Sequence, residues 1–285
     1  MPSVNRPWGG GLARALLATV LWMSAFGACG AGTKAYTLAV VPSQPAMMLH
    51  KVWTPFAERL ARDIGAPVEL KLYDTMPSFL AECESGKPDF VYISPNLFSL
   101  VHKKQKYDPL VRSAIKIRGQ IFVRKDSPYQ RIRDLQGKTI AFVGPTSVCS
   151  VLTQHALAQG QGPIGYNAEF SGSSINVAKS VLLGKVDAGA MLDASLLAEL
   201  PDRDQIRVLM ETKEIAPHPL AAHPRVPPSV RTAVVRAVLA LAGSMSGRAL
   251  LASTRLAAPV RADFRRDCAH FDDPALDRTQ PTPPR

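Results

Sequence analysis

The sequence has few cysteines, few aromatics and, after its first 30 residues, no segment long and apolar enough to span a bilayer. Four cysteines among 285 residues, none in a Cys-x-x-Cys pair, exclude a zinc ribbon and a thioredoxin-type redox site. Six histidines stand apart with no His-x-His spacing, so neither a metal centre nor a bound cofactor is expected. No nucleophile–base pair emerges, and the chain is not expected to be an enzyme. No lysine follows position 220, although ten arginines do. That basic bias has no helix-turn-helix, finger or aromatic-interleaved motif beside it. It reads as a solvated face, with no nucleic-acid partner expected.

What is present is a globular composition, 46% hydrophobic, with length for one large or two medium domains. Arg6 and Arg14 precede the uncharged run from Ala15 to Ala28, the pattern of a secretory leader over residues 1–29. The run is too short for a comfortable transmembrane helix. Removing the two leader arginines takes the net charge from +11 to +9. Phe26-Gly-Ala-Cys29-Gly30 resembles a bacterial lipobox, which would lipidate Cys29. The competing reading is ordinary cleavage near Ala28 to Ala31, with Cys29 incidental. Either route exports the protein.

Beyond the leader, strand and helix signals alternate. Tyr36 to Val41 reads as a buried strand. Trp53, Phe56, Leu60 and Ile64 then repeat at helical spacing over residues 47–64, and Gly65 and Pro67 end the helix. Val68–Tyr73 and Phe90–Ile93 are strands, and Ser94-Pro-Asn96 opens a helix. Leu110–Ile117 and Gln120–Arg124 read as a passage into a second lobe. There the rhythm repeats: strand Thr139–Val143, helix Val148–Gln159, a strand near Ala168–Phe170, helix Ile175–Leu183 and strand Val186–Met191. Arg207 to Glu211 brings the chain back, and helices Ser229–Ala242 and Ser246–Ser253 follow. This pattern predicts an α/β protein of two lobes joined by two crossing strands. Lobe 1 is residues 36–118 and 212–271, lobe 2 is 119–211, and 272–285 is a polar, proline-rich tail.

Two such lobes enclose a cleft, and ligands of open α/β sheets sit beyond the carboxyl ends of strands. The corners that follow strands carry Ser43, Tyr92 and Ser94 in one lobe, and Thr146, Ser147, Ser173 and Ser174 in the other. The helix beginning at Val148 and Cys149 presents backbone N–H groups with partial positive charge. Hydroxyls and amides of this kind can enclose a small anion or zwitterion without a fixed countercharge. Two formal motifs carry no weight. Gly160-Gln-Gly-Pro-Ile-Gly165 matches a dinucleotide fingerprint but follows a helix and contains Pro163. Ser113-Ala-Ile-Lys116 lies in a strand-like run that would send its two side chains to opposite faces. Cys83 and Cys268 fall in the same lobe, so a disulfide between them competes with three unpaired buried thiols.

Several short motifs bear on kinship: Trp53-Thr-Pro-Phe56 with Gly65, Ser85-Gly-Lys-Pro-Asp89, Lys125-Asp-Ser-Pro128, Asp134-Leu-Gln-Gly-Lys138 and Gly184-Lys-Val-Asp187. Over residues 36–245 the chain resembles the phosphate/phosphite/phosphonate-binding proteins of ABC transporters. The resemblance implies a type II periplasmic binding fold and a monomer that captures a small phosphonate-like anion. It further implies handover to an inner-membrane ABC permease, and a periplasmic location, free or lipid-anchored through Cys29. A sensing module that signals through a membrane partner is the alternative. The ligand loops depart from the pattern. Ser147-Val148-Cys149 stands where phosphonate binders carry Ser-Thr-Ser, and Ser173-Ser174 follows Gly172 where a histidine is usual. Met76 and Ile93 stand at tyrosine positions, with Tyr92 one place away. These departures point to a less charged or larger solute.

Overall fold

The strand Tyr36–Val40 (β1) buries four of its five side chains and, as such an apolar run requires, lies inside a sheet rather than at its edge. The computed structural model describes residues 34–159, 164–193 and 203–272. The predicted leader with Cys29, the Gly160–Pro163 part of the fingerprint-like run, and the tail beyond Asp272 lie outside the described residues.

The helix Ala46–Ile64 (α1) follows β1 and buries Leu49, Trp53, Phe56, Ala57 and Leu60; of the predicted stripe, Trp53, Phe56 and Leu60 are buried and Ile64 is half-buried against the same core. Each of the larger of these side chains contributes roughly 2 kcal/mol when removed from water. Gly65 ends α1 in the left-handed region, φ 69°, and its N–H closes on the Ala61 carbonyl. Next come Val68–Lys71 (β2), Met76–Glu84 (α2), Phe90–Tyr92 (β3), Pro95–Gln105 (α3) and Asp108–Ser113 (β4). The second group is Gly119–Arg124 (β5), Thr139–Phe142 (β6), Val148–Gln159 (α4), Asn167–Phe170 (β7), Ser174–Leu182 (α5), Ala188–Leu192 (β8) and Ile206–Glu211 (β9). The chain then returns through Leu220–Ala222 (β10), Pro228–Leu241 (α6), Met245–Ser253 (α7), Pro259–Arg261 (β11) and Phe264–Asp267 (α8). Among the described residues no single helix is long and apolar enough to cross a membrane.

These strands form two sheets, ordered β11-β4-β10-β3-β1-β2 and β7-β6-β8-β5-β9. The chain passes between them twice. The two passages are tied by an antiparallel bridge, with Ile117 N–H to Ile215 O at 3.0 Å and Ile215 N–H to Ile117 O at 2.8 Å. The strand predicted to run from Leu110 to Ile117 stops at Ser113. There the Ser113 hydroxyl takes the Ile115 N–H at 3.0 Å and donates to the Ala257 carbonyl, turning the backbone out of the ladder.

The two glycine–lysine motifs are scaffold. Asp89 accepts the Thr37 N–H at 3.0 Å and the Arg225 guanidinium at 2.8 Å. Asp187 accepts the Thr139 N–H at 2.9 Å and the Tyr129 hydroxyl at 2.5 Å. In each sheet a carboxylate holds the start of the neighbouring strand.

The predicted Cys83–Cys268 bond is not formed. Both thiols are free and buried in the core of the first sheet, and burial pushes each up to about 12. They fill space as small apolar groups among well-packed neighbours. Cys149 is likewise a free, buried thiol.

Candidate ligand cleft

The carboxyl ends of β1, β3 and β4 and the amino ends of β10 and β11 share one edge of the first sheet, because the latter two strands run antiparallel to their neighbours. The corner after β3 faces the corner after β6. Asn96, in the first turn of α3, donates from Nδ2 to the Thr146 carbonyl at 3.0 Å. Beside this bridge Val148 and Leu152 of α4 pack with Ile117 and Ile215 of the crossing strands and with Phe271. The lobes therefore meet along α4, and polar groups of both reach the seam.

Ser94 is buried at the start of α3, yet its hydroxyl makes no capping bond. Thr146 and Ser147 are partly buried immediately before α4. The first bond into that helix is Val151 N–H to Ser147 O, at 3.0 Å, so the amides of Val148, Cys149 and Ser150 precede the ladder. The Val148 and Cys149 side chains point into cores, so each offers the cleft only its N–H. Burial raises the Cys149 thiol above its ordinary range. Ser94, Thr146 and Ser147 are the predicted residues that the Asn96 bridge brings together.

The remaining corners lie one strand further out. Ser43 is exposed after β1, whose Val41 N–H bonds the Tyr92 carbonyl at 2.9 Å. Ser173 and Ser174 start α5 after β7, and Gly172 N–H bonds the Val143 carbonyl at 2.9 Å. The Ser173 hydroxyl is engaged as a cap, accepting the Asn176 N–H at 3.2 Å.

Tyr92 is buried rather than open, with its ring centroid 4.6 Å from Trp53 and 5.5 Å from His218, which stacks on it. Burial raises the Tyr92 hydroxyl above its usual range. Burial, and then the Arg255 charge, lower His218 to about 3. His218 therefore stays neutral and keeps one ring N–H as a donor. In the sequence His218 is one of six histidines that stand apart. Its signal would have been the strand β10, whose Leu220 pairs with Tyr92 and so sets His218 two residues away on the same face.

Two open cavities lie away from this seam. One of about 340 Å³ lies on the first lobe, between Asp108, Arg231 and Arg261. The other, about 350 Å³, lies on the second lobe, between Ser171, Asn176 and Lys185. Neither is lined by residues of both lobes. The drawn-together Asn96–Thr146 contact fits that finding.

Two sheets on paired crossing strands, with hydroxyl corners and a helix start meeting at the seam, define a two-lobed solute-binding protein. Residues 38–267 match the family described as ABC transporter, phosphonate, periplasmic substrate-binding protein. The chain belongs to this family, which is periplasmic and whose members bind solutes rather than transform them. Among curated proteins, none matches the sequence. Similar solved structures include PhnD1 from Prochlorococcus marinus in complex with methylphosphonate, at 17% identity and TM-score 0.73, covering 82% of this chain and 94% of that one. XAC2383 from Xanthomonas citri bound to chloride ion is also similar, at 17% identity and TM-score 0.71, covering 86% and 98%. A binding protein component of an ABC phosphonate transporter from Pseudomonas aeruginosa shares 12% identity at TM-score 0.68, covering 82% and 83%. At these identities the likeness is one of fold.

Proposed function

We propose that the protein captures a small oxyanion, phosphonate-like or related, between its lobes and delivers it to an inner-membrane ABC permease. The Asn96–Thr146 bridge carries this reading, because it sets the Ser94 corner against the amino end of α4. Ser147 and the amides of Val148 and Cys149 would hold the acidic end, with Ser94 opposite and Ser43, Ser173 and Ser174 completing the rim. Neighbouring structures hold methylphosphonate, chloride or ATP, all anions. One copy closes on one ligand, so the working unit is a monomer. Export follows from the leader, with Cys29 as the proposed lipid anchor. The intact mass of the processed protein distinguishes an acylated Cys29 from plain cleavage near Ala28.

The test is thermal shift against methylphosphonate, phosphite, phosphate, sulfonates, amino acids and vitamins. A ligand at 100 times its Kd stabilises the native state by about 2.7 kcal/mol. Oxyanions should raise Tm, and Ser147→Ala should abolish the shift. A panel in which only uncharged solutes raise Tm would remove this reading.

A further inference from the structure

On the edge of the first sheet opposite the cleft, β4 begins at Asp108 and β11 ends at Arg261, because the two strands run antiparallel with Arg261 against Val111. The first two turns of α6 lie over that edge, and the open cavity of about 340 Å³ sits between them and the two strands. Leu110 and Val235 are buried and give it an apolar floor. Arg231, Thr232, Arg261 and Asp108 supply its polar wall.

Both guanidinium groups there are underused. Arg231 Nη1 stands 3.5 Å from Asp108 Oδ2, beyond the length of a charge-assisted hydrogen bond, and Arg231 Nε is buried without a partner. Arg261 is exposed, and among the described residues its guanidinium has no hydrogen bond or ion pair. The scaffold arginines of this lobe differ: Arg112 and Arg266 close on Asp267, and Arg225 on Asp89, each at 2.8 Å. The start of α6 adds to the positive end. Pro227 offers no side-chain cap, and the Ser229 and Val230 amides precede the first bond into the helix, Arg231 N–H to Pro227 O at 3.0 Å. Two cationic forks against one carboxylate leave the cavity net positive. A tetrahedral phosphate presents oxygens in more directions than a planar carboxylate, so both forks can engage one group.

We infer that this cavity is an oxyanion site, separate from the interlobe cleft, that takes the phosphate group of an anionic lipid headgroup or of a free phosphate ester. Its apolar floor suits the carbon skeleton of either. The way the chain enters the fold favours the lipid. Tyr36 opens β1 on this same edge, three strands from β4, or about 14 Å. The anchor proposed at Cys29 lies seven residues earlier (Tyr36 minus Cys29), a span of at most about 25 Å, and would hold this edge against the bilayer. Only the choice of lipid rests on that anchor.

The test is flotation of the processed protein with vesicles of phosphatidylcholine, alone and with phosphatidylglycerol added, beside titration calorimetry with glycerol 3-phosphate. An acyl chain at Cys29 would bind both vesicles alike, so the difference between them reports the site. Phosphatidylglycerol should raise the partition coefficient about tenfold or more, the effect of two arginines at an anionic surface. Arg231→Gln/Arg261→Gln should bring that ratio towards one, and Asp108→Asn should raise it. Lys51→Gln/Lys125→Gln removes the same charge from exposed positions elsewhere and should keep the ratio. In calorimetry, a binding event should survive Ser147→Ala, which silences the cleft, and vanish in the double arginine variant. Melting of each variant separates loss of folding from loss of the site, and the gain expected for Asp108→Asn does not depend on any loss. A vesicle preference alone marks a headgroup site and a calorimetric event alone a solute site; either upholds the inference. A preference lost equally in the lysine variant, with no such calorimetric event, is the diffuse field of a basic protein and overturns it, as does the absence of both signals. Capture in the cleft is judged separately, by the response of the wild type that Ser147→Ala removes.

Discussion

The Asn96 side-chain amide donates to the main-chain carbonyl of Thr146, 3.0 Å away, joining the two lobes across the seam. Its other atom, Oδ1, is buried without a protein partner, so the amide is only half satisfied. A solute donor or a water reaching the seam would complete it.

Asn96→Ala should therefore loosen closure without unfolding either lobe. One such bond contributes about 1 kcal/mol. Small-angle scattering should show a larger unliganded radius of gyration, and anion affinity should fall by about fivefold. A variant with unaltered scattering and affinity would show that the bridge does not hold the lobes together.

Gly119, at the start of β5, is fixed by close approach. A Cβ there would lie 2.8 Å from Thr153 Cγ2 and 3.3 Å from Thr212 Cγ2. Gly119→Ala should cost roughly 1–3 kcal/mol through overpacking where the crossing strand meets α4. Adding Thr153→Ser, which deletes the nearer methyl, should recover most of the loss. Urea midpoints at constant m-value check both steps.

Asp267, the last residue of α8, ties that helix to the first sheet. It is 3% exposed, and Arg112 and Arg266 bond it at 2.8–2.9 Å. Burial alone would raise this carboxyl, but the hydrogen bonds from Arg266 and Arg112 outweigh it and hold it well below the usual range. Asp267→Asn should cost about 3 kcal/mol at pH 7, since it leaves Arg112 buried and unpaired. The lowered native pKa means this stability is complete above about pH 4 and is lost as pH falls towards the native value. The gap between wild type and variant in urea melts should narrow accordingly by pH 3.

His218 gives a separate acid signature. Its native value of about 3 lies below the ordinary 6.5, so the unfolded chain binds more protons between those limits. Stability should then fall as pH drops through that window. His223 and His270, also lowered, add to the slope. His218→Gln should flatten it most between pH 6.5 and 4.5, above the range where carboxylates titrate. An equal slope in the variant would mean that His218 gains protons as readily folded as unfolded.

Where apolar spacing was long and unbroken, the elements were legible. The stripe from Trp53 to Leu60 needed no tertiary knowledge, because burial demands that periodicity wherever the helix packs. The helix from Val148 to Gln159 carries no such stripe, since Val148 to Gln154 are buried in succession. β10 was not legible. Leu-Ala-Ala between two His-Pro pairs carries no strand preference, and it becomes a strand because it pairs with both β3 and β4. β11 is three residues long and depends on β4 in the same way.

The site divides along the same line. Hydroxyls after strands and an uncapped helix start are local features, so Ser94, Thr146 and Ser147 could be chosen from the chain alone. That Asn96 bridges the lobes and that Tyr92 lies beneath His218 are relations between segments up to 126 residues apart (His218 minus Tyr92). Local sequence determined the alternation of strands and helices and the kind of group at each corner, because backbone geometry and burial act over a few residues. Tertiary structure alone decided which corners meet, which thiols stay apart and where charge gathers, because those depend on strand order and packing across the whole chain.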